Sequence, residues 1–162
     1  MKSADLSCGL PHMPDRELRP SIQKSLGGGL AGTVVMTFMM YFVAPMMLGR
    51  PMDVAAMLGS VLGGSWMMGM AMHLLNGIVI FPLIYAFCLY GVLPGGAWVR
   101  GTIWGLILWF VSQALVTPMM GGGFFSVNAG GLMAVMASLI AHAVYGALLG
   151  GLTGTVERSA TP

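Results

Sequence analysis

Two histidines, His73 and His142, stand inside long apolar runs, and of all the residues in this sequence they are best suited to chemistry. An ionisable side chain at membrane depth is costly and usually faces the interior of a bundle. Each histidine is followed four residues later by a glycine on the same helix face, Gly77 and Gly146. An axial nitrogen beside a position without a side chain suits a flat macrocycle. His73 and His142, with Gly77 and Gly146, therefore form a candidate pocket for a b-type haem held by two imidazoles. The alternative, and the preferred reading, is hydrogen bonding between helices. Asn76, Gln113, Ser138 and Tyr145 are the candidate partners.

A third chemistry follows from methionine. The stretch Met67-Met68-Gly69-Met70-Ala71-Met72-His73 is the densest in sulfur, and soft thioethers with imidazole select Cu(I). His73, His142, Met70 and Met72 make the candidate metal set. Helix periodicity sends these sulfurs to different faces, however, and methionine is an adaptable packing residue. Packing is the preferred reading of the run.

The elements that must position these groups are set by composition. Of 162 residues, 57% are hydrophobic and only 7% charged, against about a quarter charged in soluble domains. Such a chain cannot cover its surface in water. Apolar runs of about 20 residues, enough to cross a bilayer, occur near 26–48, 66–91, 98–120 and 131–155. Pro82 falls inside the second and should kink it; Pro45 and Pro118 fall near the ends of the first and third. Residues 51–59 read as a short interfacial helix capped by Asp53. Residues 1–25 form a polar, solvated tail, in which a metal role for His12 and Met13 is not expected, and 156–162 a short second tail. Lys2, Arg16, Arg19, Lys24, Arg100 and Arg158 fall on the side of the termini and only Arg50 opposite, which predicts cytoplasmic termini. A net charge of +2, scattered along the chain, offers no basic stripe for nucleic acid. Cys8 and Cys88 supply no disulfide framework.

The chain also repeats itself. Pro45-Met46-Met47 ends the first span and Pro118-Met119-Met120 the third, an offset of 118 − 45 = 73 that also relates Gly32 to Gly105. His73 and Gly77 match His142 and Gly146 at an offset of 142 − 73 = 69. Two helix–loop–helix units, each crossing twice, are then parallel copies about an axis along the membrane normal. The expected fold is all-α: an integral membrane four-helix bundle of two parallel helix-hairpin repeats, with a short interfacial helix after the first span. The repeat puts both histidines on the order of 10–15 Å from the same end of their helices.

These motifs resemble a family of small four-helix bacterial membrane proteins of unknown function. The likeness rests on Gly29-Leu30-Ala31-Gly32-Thr33, Pro51-Met52-Asp53-Val54-Ala55-Ala56, His73 with Gly77, Gly105-Leu106-Ile107-Leu108-Trp109, Pro118-Met119 with Gly123-Phe124-Phe125, and Ala141-His142-Ala143-Val144-Tyr145-Gly146. It covers about residues 28–152 and implies a membrane bundle without an established activity.

The spans contain no carboxylate for proton coupling, and there is no Walker loop and no orienting acid beside a histidine. The sequence thus points away from catalysis. It points to a small membrane subunit or accessory protein of a bacterial inner-membrane complex, respiratory or otherwise energy-converting. Its partners would be the lipid bilayer and other membrane subunits or further copies of itself. A haem- or Cu(I)-binding redox protein is the alternative, and a minimal oligomeric channel or transporter a third.

Overall fold

The computed structural model describes residues 20–154. The chain before Pro20, with His12, Met13 and most of the polar tail, and the chain after Gly154 lie outside the described residues. Among the described residues four helices are long and apolar enough to cross a membrane: α1 (Ile22–Leu48), α3 (Trp66–Leu89), α4 (Ala97–Met119) and α5 (Gly131–Thr153). A short helix, α2 (Val54–Ser60), follows α1, and a single 3₁₀ turn, Phe124–Ser126, lies between α4 and α5. No strand occurs among the described residues. Helices stand at each of the expected spans and at the expected short segment after the first, with ends moved by a few residues.

Local side chains explain the helix starts. Ser21 Oγ accepts from the Lys24 N–H and Ser65 Oγ from the Met68 N–H, each satisfying an end-group donor. Asp53 caps α2 by accepting from the Ala56 N–H at 2.9 Å. Gly49 ends α1 at φ +68, a left-handed conformation that suits glycine.

The prolines shape the helices in a way the sequence only half announces. Pro45, Pro82 and Pro118 each stand two residues after a wide π-helical turn: Met39–Val43, Asn76–Ile80 and Ser112–Val116. A proline ring clashes with the carbonyl four residues earlier and supplies no N–H. Widening the preceding turn accommodates both effects without breaking the helix, so Pro82 leaves α3 continuous. The turns before Pro45 and Pro118 are related by the same 73-residue offset as the prolines, since 112 − 39 = 73. In this pair of helices the repeat extends to backbone geometry, whereas α5 carries no wide turn to match that of α3.

Packing makes α5 the central helix. Of its apolar window 39% is buried, against 22–28% for the other three. Its buried face is mostly small, with Ala134, Ala137, Ser138, Ala141, Gly146 and Gly150. Glycines carry two neighbours onto it. A Cβ at Gly28 or Gly32 of α1 would meet the Leu149 or Tyr145 backbone at 2.8 and 2.9 Å, and one at Gly101 or Gly105 of α4 would strike the Gly146 or His142 carbonyl. Side-chain-free contact of this kind is how helices associate where lipid removes the hydrophobic drive. By contrast α3 rests on α1 and meets α4 chiefly at Tyr85–Leu89. Large apolar side chains cover the outside, among them Phe42, Phe87, Trp98 and Leu132, each more than half exposed. A surface of that kind fits lipid contact.

Candidate functional site

A cavity of about 530 Å³ opens between the helices at the end carrying α2 and the Met120–Gly130 connection. Both histidines line it, together with side chains from α1, α3, α4 and α5. Three wide turns border it: Met40, Asn76 and Gly77, and Ser112, Gln113 and Val116 all contribute to its wall. A π turn sets the following residues out of α-helical phase and spreads neighbouring backbones, so the prolines and the cavity have a common origin.

The two imidazoles are held in opposite ways. His73 Nε2 lies 2.9 Å from Thr37 Oγ1, whose hydroxyl hydrogen is donated to the Thr33 carbonyl at 2.7 Å. With the hydroxyl donating to that carbonyl, Nε2–H donates to Thr37 and Nδ1 is the bare nitrogen, the tautomer this geometry favours. His142 Nδ1 lies 2.8 Å from the Ser138 carbonyl, which can only accept, so Nδ1 carries the hydrogen and Nε2 is bare. Among the described residues neither bare nitrogen has a hydrogen-bond partner, and neither is sealed inside protein. Each ring thus lines the shared cavity with one nitrogen free of protein hydrogen bonds. Among the described residues the only carboxylate on its wall is Asp53.

A polar chain supports His142. Ser126 Oγ donates to Gln113 Oε1 at 2.7 Å, Gln113 Nε2 donates to Ser138 Oγ at 3.2 Å, and Ser138 stands one turn before His142. Gln113, Ser126 and Ser138 are all buried. Tyr145 donates to the Gly77 carbonyl at 2.8 Å, tying α5 to α3 through the wide turn.

Of the two histidines, His73 alone hydrogen-bonds between helices, through a partner not foreseen, while His142 bonds within its own helix. Ser138 serves His142, while Gln113 and Tyr145 bond elsewhere and His73 takes Thr37. The signal for Thr37 was available, because Thr37 stands one turn from Thr33 on the glycine-bearing face of α1. The 73-residue offset places Phe110 where the first unit has Thr37, so His142 turns to its own helix instead.

Gly77 and Gly146 do not open space beside the rings, contrary to the macrocycle geometry expected of them. A Cβ at Gly77 would strike Thr33 Oγ1 and one at Gly146 the Gly101 carbonyl. Both positions serve helix contact, α3 on α1 and α5 on α4, and Gly146 is not on the cavity wall. The methionines are likewise redistributed. Met70 and Met72 do not line the cavity, and Met67 and Met68 are 72% and 56% exposed. Met36, Met40, Met52, Met57 and Met120 line it instead. Helical phase is the reason, since the dense run wraps around α3 and only His73 and Gly69 of it are buried. Among the described residues no three His, Cys, Asp or Glu side chains gather as a metal site, and the cavity is far larger than a coordination shell.

Asp53 organises the mouth. Its carboxylate accepts from Tyr41 Oη, from the Ala56 N–H and from Trp66 Nε1, joining α1, α2 and α3. Burial alone would raise this carboxyl, but the hydrogen bonds outweigh it and hold the group below its ordinary value. The stability it adds is therefore complete above the ordinary carboxylate range and is lost as pH falls through the depressed folded value. Asp53→Ala should cost about 1–2 kcal/mol near neutral pH, the loss of an N-cap. In melts across an acid series in detergent, the gap between variant and parent should close as pH drops below that range.

A family model, that of the family of unknown function DUF6789, matches residues 20–162. The chain belongs to that family. No curated protein and no solved structure matches it.

Proposed function

We propose that this family member is a non-catalytic small subunit or accessory protein of a bacterial inner-membrane complex, and that its bundle holds a small molecule between His73 and His142. The observation that carries the reading is a pair of imidazoles, each with one nitrogen free of protein hydrogen bonds, lining one cavity of about 530 Å³, a size within the range of small-molecule sites. The second nitrogen of each ring is engaged by Thr37 or Ser138, which fixes its orientation as a binding residue requires. Asp53 is engaged by Tyr41, Trp66 and Ala56, so it does not serve as an orienting acid for either histidine. The apolar outer faces fit lipid and leave room for neighbouring subunits.

The arginine and lysine asymmetry supports cytoplasmic termini, with α2 and the cavity mouth on the opposite, periplasmic side. Gentle detergent extraction at native expression, followed by mass spectrometry of co-isolated proteins and small molecules, tests the proposal. A partner subunit and a non-covalent adduct are the expected results. A solitary bundle with an empty mass spectrum would count against it.

A further inference from the structure

We propose that the ligand is an uncharged, lipid-soluble aromatic diol of the quinol type, and that the cavity binds it in preference to the corresponding quinone. This rests on the ligand-cavity reading above and assigns the ligand's chemistry.

The wall carries several acceptors whose donors are already engaged, beside Asn76, Ser112 and Asn128, whose side chains keep donors free among the described residues. His73 Nδ1 and His142 Nε2 are bare lone pairs. Three hydroxyls on the same wall have given their hydrogens away: Thr33 to the Gly29 carbonyl, Tyr145 to the Gly77 carbonyl and Ser126 to Gln113. Two hydroxyl groups on a ligand would meet the two imidazoles. Carbonyl groups in their place would set acceptor against acceptor, and an unpaired buried polar group is costly.

Charge and shape narrow the class further. Among the described residues the charged side chains on the wall, Arg50 and Asp53, both belong to the segment between α1 and α2, and Asp53 is already engaged there. A charged ligand at the level of the histidines would have no counter-ion, so the occupant is neutral. Around the histidines stand Met36, Met40, Phe81 and Tyr145. Thioethers and aromatic rings pack well against the faces and edges of an aromatic ring.

The test uses the purified full-length protein in detergent under anaerobic conditions. Equilibrium dialysis would compare a short-chain benzoquinol, the matching benzoquinone and the quinol's dimethyl ether, which keeps the ring but donates nothing. The quinol should bind at least about tenfold tighter than either analogue, as one lost buried hydrogen bond implies. His73→Leu and His142→Leu should each shrink that preference. The comparison among the three ligands on the parent protein stands even if a variant fails to fold. Equal binding of all three would overturn the quinol assignment while leaving a ring-binding cavity. Binding of none would overturn the assignment too, and the co-isolated small molecule would then decide the cavity reading by itself.

Discussion

Leucine in place of Gly146 should leave almost no folded bundle to extract. The position has no room, because a Cβ there would strike the Gly101 carbonyl and come within 2.8 Å of the Gly105 nitrogen. The contact is reciprocal, since a Cβ at Gly101 would strike the Gly146 carbonyl. What must yield is backbone on both sides, and a helix backbone cannot rotate away as a side chain can. Overpacking in a core ordinarily costs about 1–3 kcal/mol, and a clash between two backbones belongs at or beyond the top of that range. Moving α4 also removes the α4–α5 contact that seats Gln113 beside Ser138. Gly77→Leu should be milder, because the obstacle there is the Thr33 side chain, although it still breaks the tie to Gly29. Gly27→Leu is the control: nothing lies within 4 Å of a Cβ at Gly27, and the parent melt should be preserved. Size-exclusion profiles and thermal melts in detergent would rank the three. A Gly146→Leu protein that elutes and melts like the parent would show that α4 and α5 are not packed backbone to backbone.

Gln113→Leu should be the most damaging change on the cavity wall. The side chain is 2% exposed and joins Ser126 to Ser138, so its loss strands two buried hydroxyls at once. Each stranded group costs about 1–3 kcal/mol in water-soluble cores, and averages nearer 0.6 kcal/mol between membrane helices. A total of about 2 kcal/mol is a fair expectation. The connection it holds is itself strained. Phe125 and Ser126 sit at φ 50 and φ 57, a left-handed conformation that non-glycine residues rarely adopt and that costs on the order of 1–3 kcal/mol each. The Ser126–Gln113 bond and the packing of the Phe125 ring on Trp109 and Phe110 hold that conformation in place. Without Gln113 the Phe124–Ser126 turn should relax, and His142 should lose the neighbour that fixes Ser138. Hydrogen exchange over residues 121–130 would rise together with a lower melting temperature. A variant with parent-like exchange there would show that the loop is held by packing alone.

The spans were legible because twenty apolar residues without a carboxylate have few other uses, and composition alone makes that case. Asp53 as a cap and α2 as a short helix were legible for a similar reason, since capping is local. The repeat was visible at Pro45, Pro118, His73 and His142, and the wide turns of α1 and α4 follow it, while the turn at Asn76–Ile80 has no counterpart in α5. What the turns do was hidden. No sequence rule separates a proline that kinks a helix from one that widens the preceding turn, and it is the widening that borders the cavity. The glycines after the histidines were read as open space, whereas helix neighbours fill them. A glycine pattern tells that something comes close but not whether it is a ligand or a backbone. The methionines misled for a related reason. Density along the chain at Met67–Met72 is not density in space, and the thioethers on the cavity wall come from Met36 and Met40 of α1, from Met52 and Met57 in and before α2, and from Met120 after α4.

The claim on which the functional reading depends is that His73 and His142 line a common cavity with bare nitrogens of opposite kind. Nitrogen-15 NMR of histidine-labelled protein in detergent at neutral pH, assigned with single His73 and His142 variants, measures this directly. Two neutral rings are expected, His73 protonated at Nε2 and His142 at Nδ1, with the bare nitrogen of each shifting when the cavity is loaded. Two rings of the same tautomer, or a charged imidazolium at either position, would contradict the account.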